Sequence, residues 1–382
     1  MKILHTADWH LGRIFHALHL TDDQAFILDQ FVRIAKDVSP DVIIIAGDIY
    51  DRAVPPVEAV KLLDDTLNRL ISDIKTQVII IAGNHDSPDR IGFGSQLLAP
   101  RGLHIAGVLD VNFRPVTIND KYGPVNFYLL PYAEPAIVRQ LTGADCTDHN
   151  SAMNILTGKI RKSYPIDQRS VLCAHAFVAG GDVSESERPL NVGGSGVVDL
   201  SLFDGFSYVA LGHLHRNQWL NETVHYAGSP MKYSFSESLH NKSVTFVELN
   251  TSGIATSESI SLVPRHDVRT IKGILDNIIN QSKEDPAHDD YLSISIEDKE
   301  PILDLLGKLR PFYPNVLNIE RPGLSFQANS LESSIDHRTL TDLELFSAFF
   351  KQTTGSDLDI KQSEIFSEII GTLQIQERES RS

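Results

Sequence analysis

The stretch Val42-Ile43-Ile44-Ile45-Ala46-Gly47-Asp48-Ile49-Tyr50-Asp51 joins an unbroken aliphatic run to a glycine and two carboxylates. The pattern recurs. Val78-Ile-Ile-Ile-Ala82 leads into Gly83-Asn84-His85-Asp86, and Ile3-Leu4-His5 leads into Asp8-Trp-His10. Val171-Leu-Cys-Ala174 leads into His175, and Tyr208-Val-Ala-Leu211 leads into Gly212-His213-Leu-His215. Val/Ile/Leu runs of this length bounded by glycine read as strands buried on both faces. Each therefore carries Asp, Asn or His to one edge of a sheet. A glycine just before the ligand, as at Gly47, Gly83 and Gly212, allows close backbone approach in a crowded site. Nitrogen and oxygen donors with no thiolate suit a pair of borderline divalent ions. Two such ions, held about 3.5–4 Å apart, form a clamp for in-line attack on phosphorus. The expected chemistry is phosphoester hydrolysis.

The rest of the chain fits a soluble enzyme. Its 382 residues exceed what one core usually serves, so two or three domains are expected. No apolar run approaches the ~20 residues of a membrane span, and the N-terminal segment reads as a strand, not a signal peptide. Two cysteines, Cys146 and Cys173, make no disulfide framework and suggest a reducing, cytoplasmic setting. Cys173 lies within a strand and reads as packing. With 34 Lys+Arg against 50 Asp+Glu the net charge is −16, so bulk attraction to nucleic-acid phosphates is excluded. Bound cations, or a partner, would have to supply the positive field.

Helices alternate with the strands. Thr21-Asp-Asp-Gln24 has the form of a capping box opening a helix over Ile27, Phe31, Ile34 and Ala35. Pro55-Pro56 starts another, with Val60, Leu63, Leu67 and Leu70 on one face. Val125–Leu130, Val224–Ala227 and Lys242–Leu249 read as strands of a second sheet. The expected fold is α/β: two packed mixed β-sheets flanked by helices, with the site at the sheet edges. Residues 178–206 form a long connection whose Asp182, Glu185, Glu187 and Arg188 suggest a functional loop. Boundaries are expected as follows: residues 1–263 a catalytic domain, 264–322 a small α+β cap, 323–337 a polar linker, and 338–382 a helical segment. In the cap, Val268–Ile271, Tyr291–Ile296 (alternating) and Val316–Glu320 read as strands, with Lys272–Asn280 and Pro301–Leu309 as helices. In the last segment Thr341-Asp-Leu-Glu344 is a second capping box. It opens a helix bearing Leu345, Phe346, Phe349 and Phe350, and a further amphipathic stretch carries Ile365, Phe366, Ile369 and Ile370.

The ordered set Asp8-x-His10, Gly47-Asp48-x-x-Asp51, Gly83-Asn84-His85-Asp86, His175, Gly212-His213-x-His215 resembles the calcineurin-like metallophosphoesterase superfamily. Three longer segments, KILHTADWHLGR (2–13), HAFVAGGDVSESERPLNVGG (175–194) and YAGSPMKYSFSES (226–238), resemble its bacterial DNA-nuclease branch. The resemblance implies that Asp8, His10 and His215 hold one metal, that Asp48 bridges to a second, and that Asn84, His175 and His213 complete the ligands of that second metal. It implies that His85 binds no metal but faces the scissile phosphate as general acid or transition-state stabiliser. Asp86 would orient His85 or a ligand. Asp51, a histidine in archaeal and eukaryotic relatives, would either position a ligand or cap the turn. The implied ion is Mn²⁺, although the donors alone also permit Mg²⁺, Fe²⁺ or Zn²⁺. The implied partners are DNA and an ATPase subunit with a coiled coil, gripped by Phe346, Phe349, Phe350, Phe366 and Ile369, with two copies of this chain in a heterotetramer. The implied activity is endo- and exonucleolytic cleavage of DNA ends and hairpins in DNA repair, recombination and replication. From the residues, a small-nucleotide phosphodiesterase or phosphatase, or a non-catalytic scaffold, stays open. The ten histidines outside the motifs read as surface or core residues. His5 is expected beneath the site, and His16 and His19 fall near enough in sequence to line the cleft.

Overall fold

A computed structural model of the chain describes residues 1–163, 169–187, 196–298, 300, 302–321, 341–354 and 357–379. The expected linker 323–337 and Arg188 lie outside the described residues. The described chain forms two compact units, Met1–Thr270 with Asp289–Tyr291, and Ile271–His288 with Leu292–Ser382.

The first unit is built on two six-stranded mixed sheets. In one, Lys2–Thr6, Val42–Ala46, Gln77–Ile81 and Leu103–Ala106 run parallel, and Ser243–Leu249 and Ala255–Ser261 extend it antiparallel beside Lys2–Thr6. In the other, Val224–Tyr226, Tyr208–Gly212, Ser170–His175 and Gly123–Leu130 run parallel, with antiparallel edges at Gln218–Trp219 and Val116–Asp120. The aliphatic runs follow from this placement. Val42, Ile44 and Ala46 point into the core between the sheets, where they meet Val171, Cys173, Tyr208 and Ala210. Ile43 and Ile45, alternating to the opposite face, are also fully buried. The second sheet buries its far face against the helix His149–Ser163 through Ala152, Met153, Leu156 and Ile160. Cys173 lies in the inter-sheet core, and burial pushes its thiol up, as expected for a packing residue.

Two local readings in the first unit are corrected. The helix Thr21–Val38 has Leu20 at its cap position without a side-chain hydrogen bond, so Thr21-Asp-Asp-Gln24 is no capping box. Gln24 turns inward instead. Its amide donates to the carbonyls of Trp9 (3.2 Å) and His10 (2.8 Å), and its oxygen accepts from the Gly12 N–H at 3.0 Å. The buried polar backbone of the Trp9–Gly12 loop outcompetes a solvent-facing cap for this side chain. In Val57–Asn68 the buried face is Ala59, Leu63 and Thr66, whereas Val60 is 44% exposed.

A three-stranded sheet of Val268–Gly273, Tyr291–Ile296 and Val316–Glu320, most of whose residues belong to the second unit, carries the helices Leu275–Ser282 and Leu305–Leu309. Leu275, Ile278, Ile294, Leu309, Tyr313 and Val316 form its core. All six residues of Tyr291–Ile296 are buried, in place of the expected alternation. The helix expected from Pro301 begins at Leu305, capped by the Asp304 carboxylate on the Gly307 N–H at 3.0 Å. The box at Thr341–Glu344 does form: the Thr341 N–H and hydroxyl donate to the Glu344 carboxylate, and the Glu344 N–H donates to Thr341 Oγ1 at 3.3 Å. It opens Asp342–Thr354, which packs on Ile360–Glu379 by stacking Phe346 on Phe366, with centroids 3.9 Å apart and rings 2° from parallel. Among the described residues no helix is long and apolar enough to cross a membrane.

Candidate metal centre

Every segment that carries an expected ligand leaves the C-terminal end of a parallel strand, the edge where α/β sheets gather ligands. Asp8 follows Lys2–Thr6, Asp48 follows Val42–Ala46, and Asn84 and His85 follow Gln77–Ile81. His175 ends Ser170–His175, and His213 and His215 follow Tyr208–Gly212. The chain then turns sharply. Asp8, His10, Asp48 and His213 all have positive φ (54°, 45°, 49° and 110°), although none is glycine. Such backbone costs about 1–3 kcal/mol per residue and persists where the surroundings over-determine it. Here the loops are zipped together: Asp8 N–H donates to the Gly47 carbonyl and His10 N–H to that of Asp48, both at 3.0 Å. The Asp8 carboxylate accepts the His213 N–H at 3.0 and 3.1 Å. Asp86 ties the Asp48 and Asn84 loops by accepting from the N–H groups of Ile49 (3.0 Å), Tyr50 (2.9 Å) and Gly83 (2.9 Å).

Two glycines are dictated by closeness. A Cβ on Gly83 would collide with Asp48, and one on Gly212 with the Ala46 carbonyl across the two sheets. Gly212→Ala is therefore expected to cost about 1–3 kcal/mol, the usual range for overpacking. Chemical denaturation would measure it, and a variant as stable as the parent would contradict the close approach.

The side chains converge into three groups, Asp8/His10/His215, Asp8/Asp48/His175 and His10/Asp51/His85, each with one potential ligand atom per residue within 4.8 Å of the others. His10 Nε2 lies 3.1 Å from His215 Nε2 and 3.7 Å from Asp48 Oδ2. His175 Nδ1 donates to the Ala46 carbonyl at 2.9 Å, which turns Nε2 to Asn84 Oδ1 (3.0 Å) and Asp48 Oδ2 (3.5 Å). His213 Nδ1 stands 3.2 Å from the same Asn84 oxygen. Asp8, His10, Asp48, His175, His213 and His215 are all buried.

The electrostatics are those of a site built for cations. Burial, reinforced by His175, pushes His213 down to about 3, so it is neutral with a free lone pair. Burial pushes the Asp8 carboxyl up to about 7, although His175 and His215 oppose the shift. Burial also opposes charge on His175, yet Asp48 overrides it and lifts the imidazole to about 9. Buried carboxylates facing crowded imidazole nitrogens, with His10 Nδ1 left without a hydrogen-bond partner, fit divalent ions.

His85 differs from its neighbours. It is half-buried, its backbone N–H donates to Asp48 Oδ1 at 2.9 Å, and its Nδ1 lies 2.8 Å from the Asp51 carbonyl. The carbonyl can only accept, so Nδ1 carries the proton and Nε2 is left for another partner. The Asp51 carboxylate accepts from Arg13 Nη1 at 2.8 Å, and the same oxygen stands 3.8 Å from His10 Nδ1. Asp51 thus meets His85 through its main chain. His5 is fully buried, with Nδ1 2.8 Å from the Tyr208 hydroxyl. His16 and His19 lie exposed on the small hairpin of Ile14–Phe15 and Leu18–His19.

A two-sheet scaffold that collects Asp, Asn and His at one edge defines a metal-dependent phosphoesterase. Residues 1–217 match the family model for calcineurin-like phosphoesterases, and residues 264–354 match the type 5 capsule protein repressor C-terminal domain. The chain is 34% identical over 375 residues to the SbcD component of the nuclease SbcCD from Staphylococcus saprophyticus, covering 98% of both chains. It belongs to the family of SbcD nuclease subunits within the calcineurin-like phosphoesterases. Among solved structures, a dimetal phosphatase from Danio rerio is similar at a TM-score of 0.43 and 13% identity, over 69% of this chain and 96% of that one.

Proposed function

We propose that the chain is the two-metal DNA nuclease of an ATPase-regulated repair complex, cutting phosphodiester bonds at DNA ends and hairpins beside an SbcC-type subunit. The observation that carries the metal reading is the convergence of seven ligand-type side chains from five strand ends on one buried edge, with half-buried His85 beside them. Asp8, His10 and His215 would hold one ion, Asn84, His175 and His213 the other, with Asp48 between them. Mn²⁺ is the ion the resemblance favours. When bound, the ions supply charge neutralisation at phosphorus and an activated water. His85 is the residue placed to act on substrate: with Nδ1 committed to Asp51, a proton on Nε2 can pass to the leaving 3′ oxygen. Asp86 acts through the backbone, fixing the two loops that carry Asp48 and Asn84.

The test is cleavage of linear and hairpin DNA with Mn²⁺, with and without the ATPase subunit, against cyclic nucleotides as competing substrates. DNA cleavage that falls steeply with salt is expected. Turnover of cyclic nucleotides with none of DNA, in the presence of the partner, favours a small-nucleotide phosphodiesterase.

Ion uptake near neutral pH is expected to release protons, because His175 and part of the Asp8 population are protonated without a cation. Apparent affinity should therefore rise as pH rises toward about 9, the His175 value. Calorimetry in buffers of different ionisation enthalpy reads the released protons, and a buffer-independent heat would contradict the assignment.

The C-terminal helices are the surface proposed for the ATPase. Phe346 and Phe366 stack on each other, while Phe349 is 60% and Ile369 53% exposed. Full burial of such side chains contributes about 1.5–3 kcal/mol each. Deleting residues 338–382 is expected to leave a cooperatively melting, metal-binding protein that no longer co-purifies with the ATPase subunit. Undiminished co-purification would place the docking surface elsewhere.

A further inference from the structure

His215 is gripped at three polar atoms by groups outside the proposed ligand set. Its N–H donates to Glu187 Oε1 at 2.7 Å, and its carbonyl accepts from Lys242 Nζ at 2.8 Å. Its Nδ1 meets Ser186 Oγ at 2.7 Å, and Ser186 Oγ in turn donates to Glu237 Oε1. Behind them Glu237 Oε2 pairs with Lys242 Nζ at 2.5 Å. Glu237 is 0% exposed, Lys242 7% and Ser186 9%.

The direction of the protons follows from the partners. A carboxylate paired with an ammonium group only accepts, so the Ser186 hydroxyl spends its single proton on Glu237. Ser186 then faces His215 with a lone pair, and Nδ1 must carry the imidazole proton. Nε2, the atom 3.1 Å from His10 Nε2, is left unprotonated with its lone pair free to ligate. Full burial of Glu237 would be costly if it served only a surface loop, whereas a hydrogen-bonded chain ending in a charge pair holds one geometry.

We propose that Ser186, backed by Glu237 and Lys242, is a positioning residue that fixes the tautomer and ring orientation of His215 for metal ligation. This rests on the metal-centre reading above. Outer partners of this kind typically change metal affinity by about 10–100-fold when removed.

The experiment is Mn²⁺ titration calorimetry on full-length wild type, Ser186→Ala and Ser186→Thr, beside thermal melts of the metal-free proteins. Ser186→Ala is expected to weaken one of two ions by about 10–100-fold while the other binds as in wild type. Ser186→Thr, which keeps the hydroxyl, should recover most of that loss. Wild-type affinity for both ions in Ser186→Ala would overturn the proposal. So would a loss in Ser186→Thr equal to that in Ser186→Ala, because the hydroxyl would then not be the operative group. A wild-type chain that takes up no Mn²⁺ would instead sink the metal-centre reading itself.

Discussion

Asp48→Ala is expected to lose affinity for both ions together and to reduce hydrolysis to background. Asp48 Oδ2 is 3.7 Å from His10 Nε2 and 3.5 Å from His175 Nε2, so its carboxylate stands between the two halves of the site. Asp48 Oδ1 also anchors the His85 N–H at 2.9 Å, so its loss frees the loop that carries the proposed acid. Asp48 is one of the two carboxylates grouped with His175, the other being Asp8, so its removal takes away half of the negative charge that faces a cation there. Metal analysis after gel filtration is the check. Wild-type stoichiometry in Asp48→Ala would remove Asp48 from the bridging position.

His85→Ala should behave in the opposite way with respect to metal. Both ions are expected to stay, while turnover on DNA falls by about 10²–10⁴-fold, the usual span for removing a general acid or base. The physical reason is the orientation of the ring. Nδ1 is tied to the Asp51 carbonyl, and the ring packs edge-on to His10 with centroids 4.8 Å apart. The half-exposed imidazole therefore borders the ligand cluster without being enclosed by it. Metal content and single-turnover rate, measured on the same preparation, separate the two roles. A missing ion in His85→Ala would make His85 a ligand, as its grouping with His10 and Asp51 also allows.

Much of this protein was legible in its sequence because the information was local and repeated. A strand buried on both faces has to be a continuous aliphatic run, so Val42–Ala46 and Gln77–Ile81 announced themselves. A ligand at a crowded strand end needs a neighbour without Cβ, and Gly83 and Gly212 marked those places. The reciprocal cap at Thr341–Glu344 was legible for the same reason, since both partners lie within one turn.

Tertiary structure decided whatever depended on distant partners. Gln24 has the spacing of a cap residue, and only the folded chain shows that the Trp9 and His10 carbonyls claim it. Asp51 left two readings open, and the fold turns its carboxylate to Arg13 and its carbonyl to His85. Ser186 and Glu237 lie inside the segments 175–194 and 226–238 that carry the resemblance, but no spacing in the sequence ties them or Lys242 to His215. They meet His215 because two sheets and a loop bring together positions far apart in the chain. Periodicity reports which side of an element is dry, and motif spacing reports what one loop can reach. The hydrogen-bond partner of a buried polar group comes from whichever segment the fold lays against it, and that is fixed only when the whole core is packed.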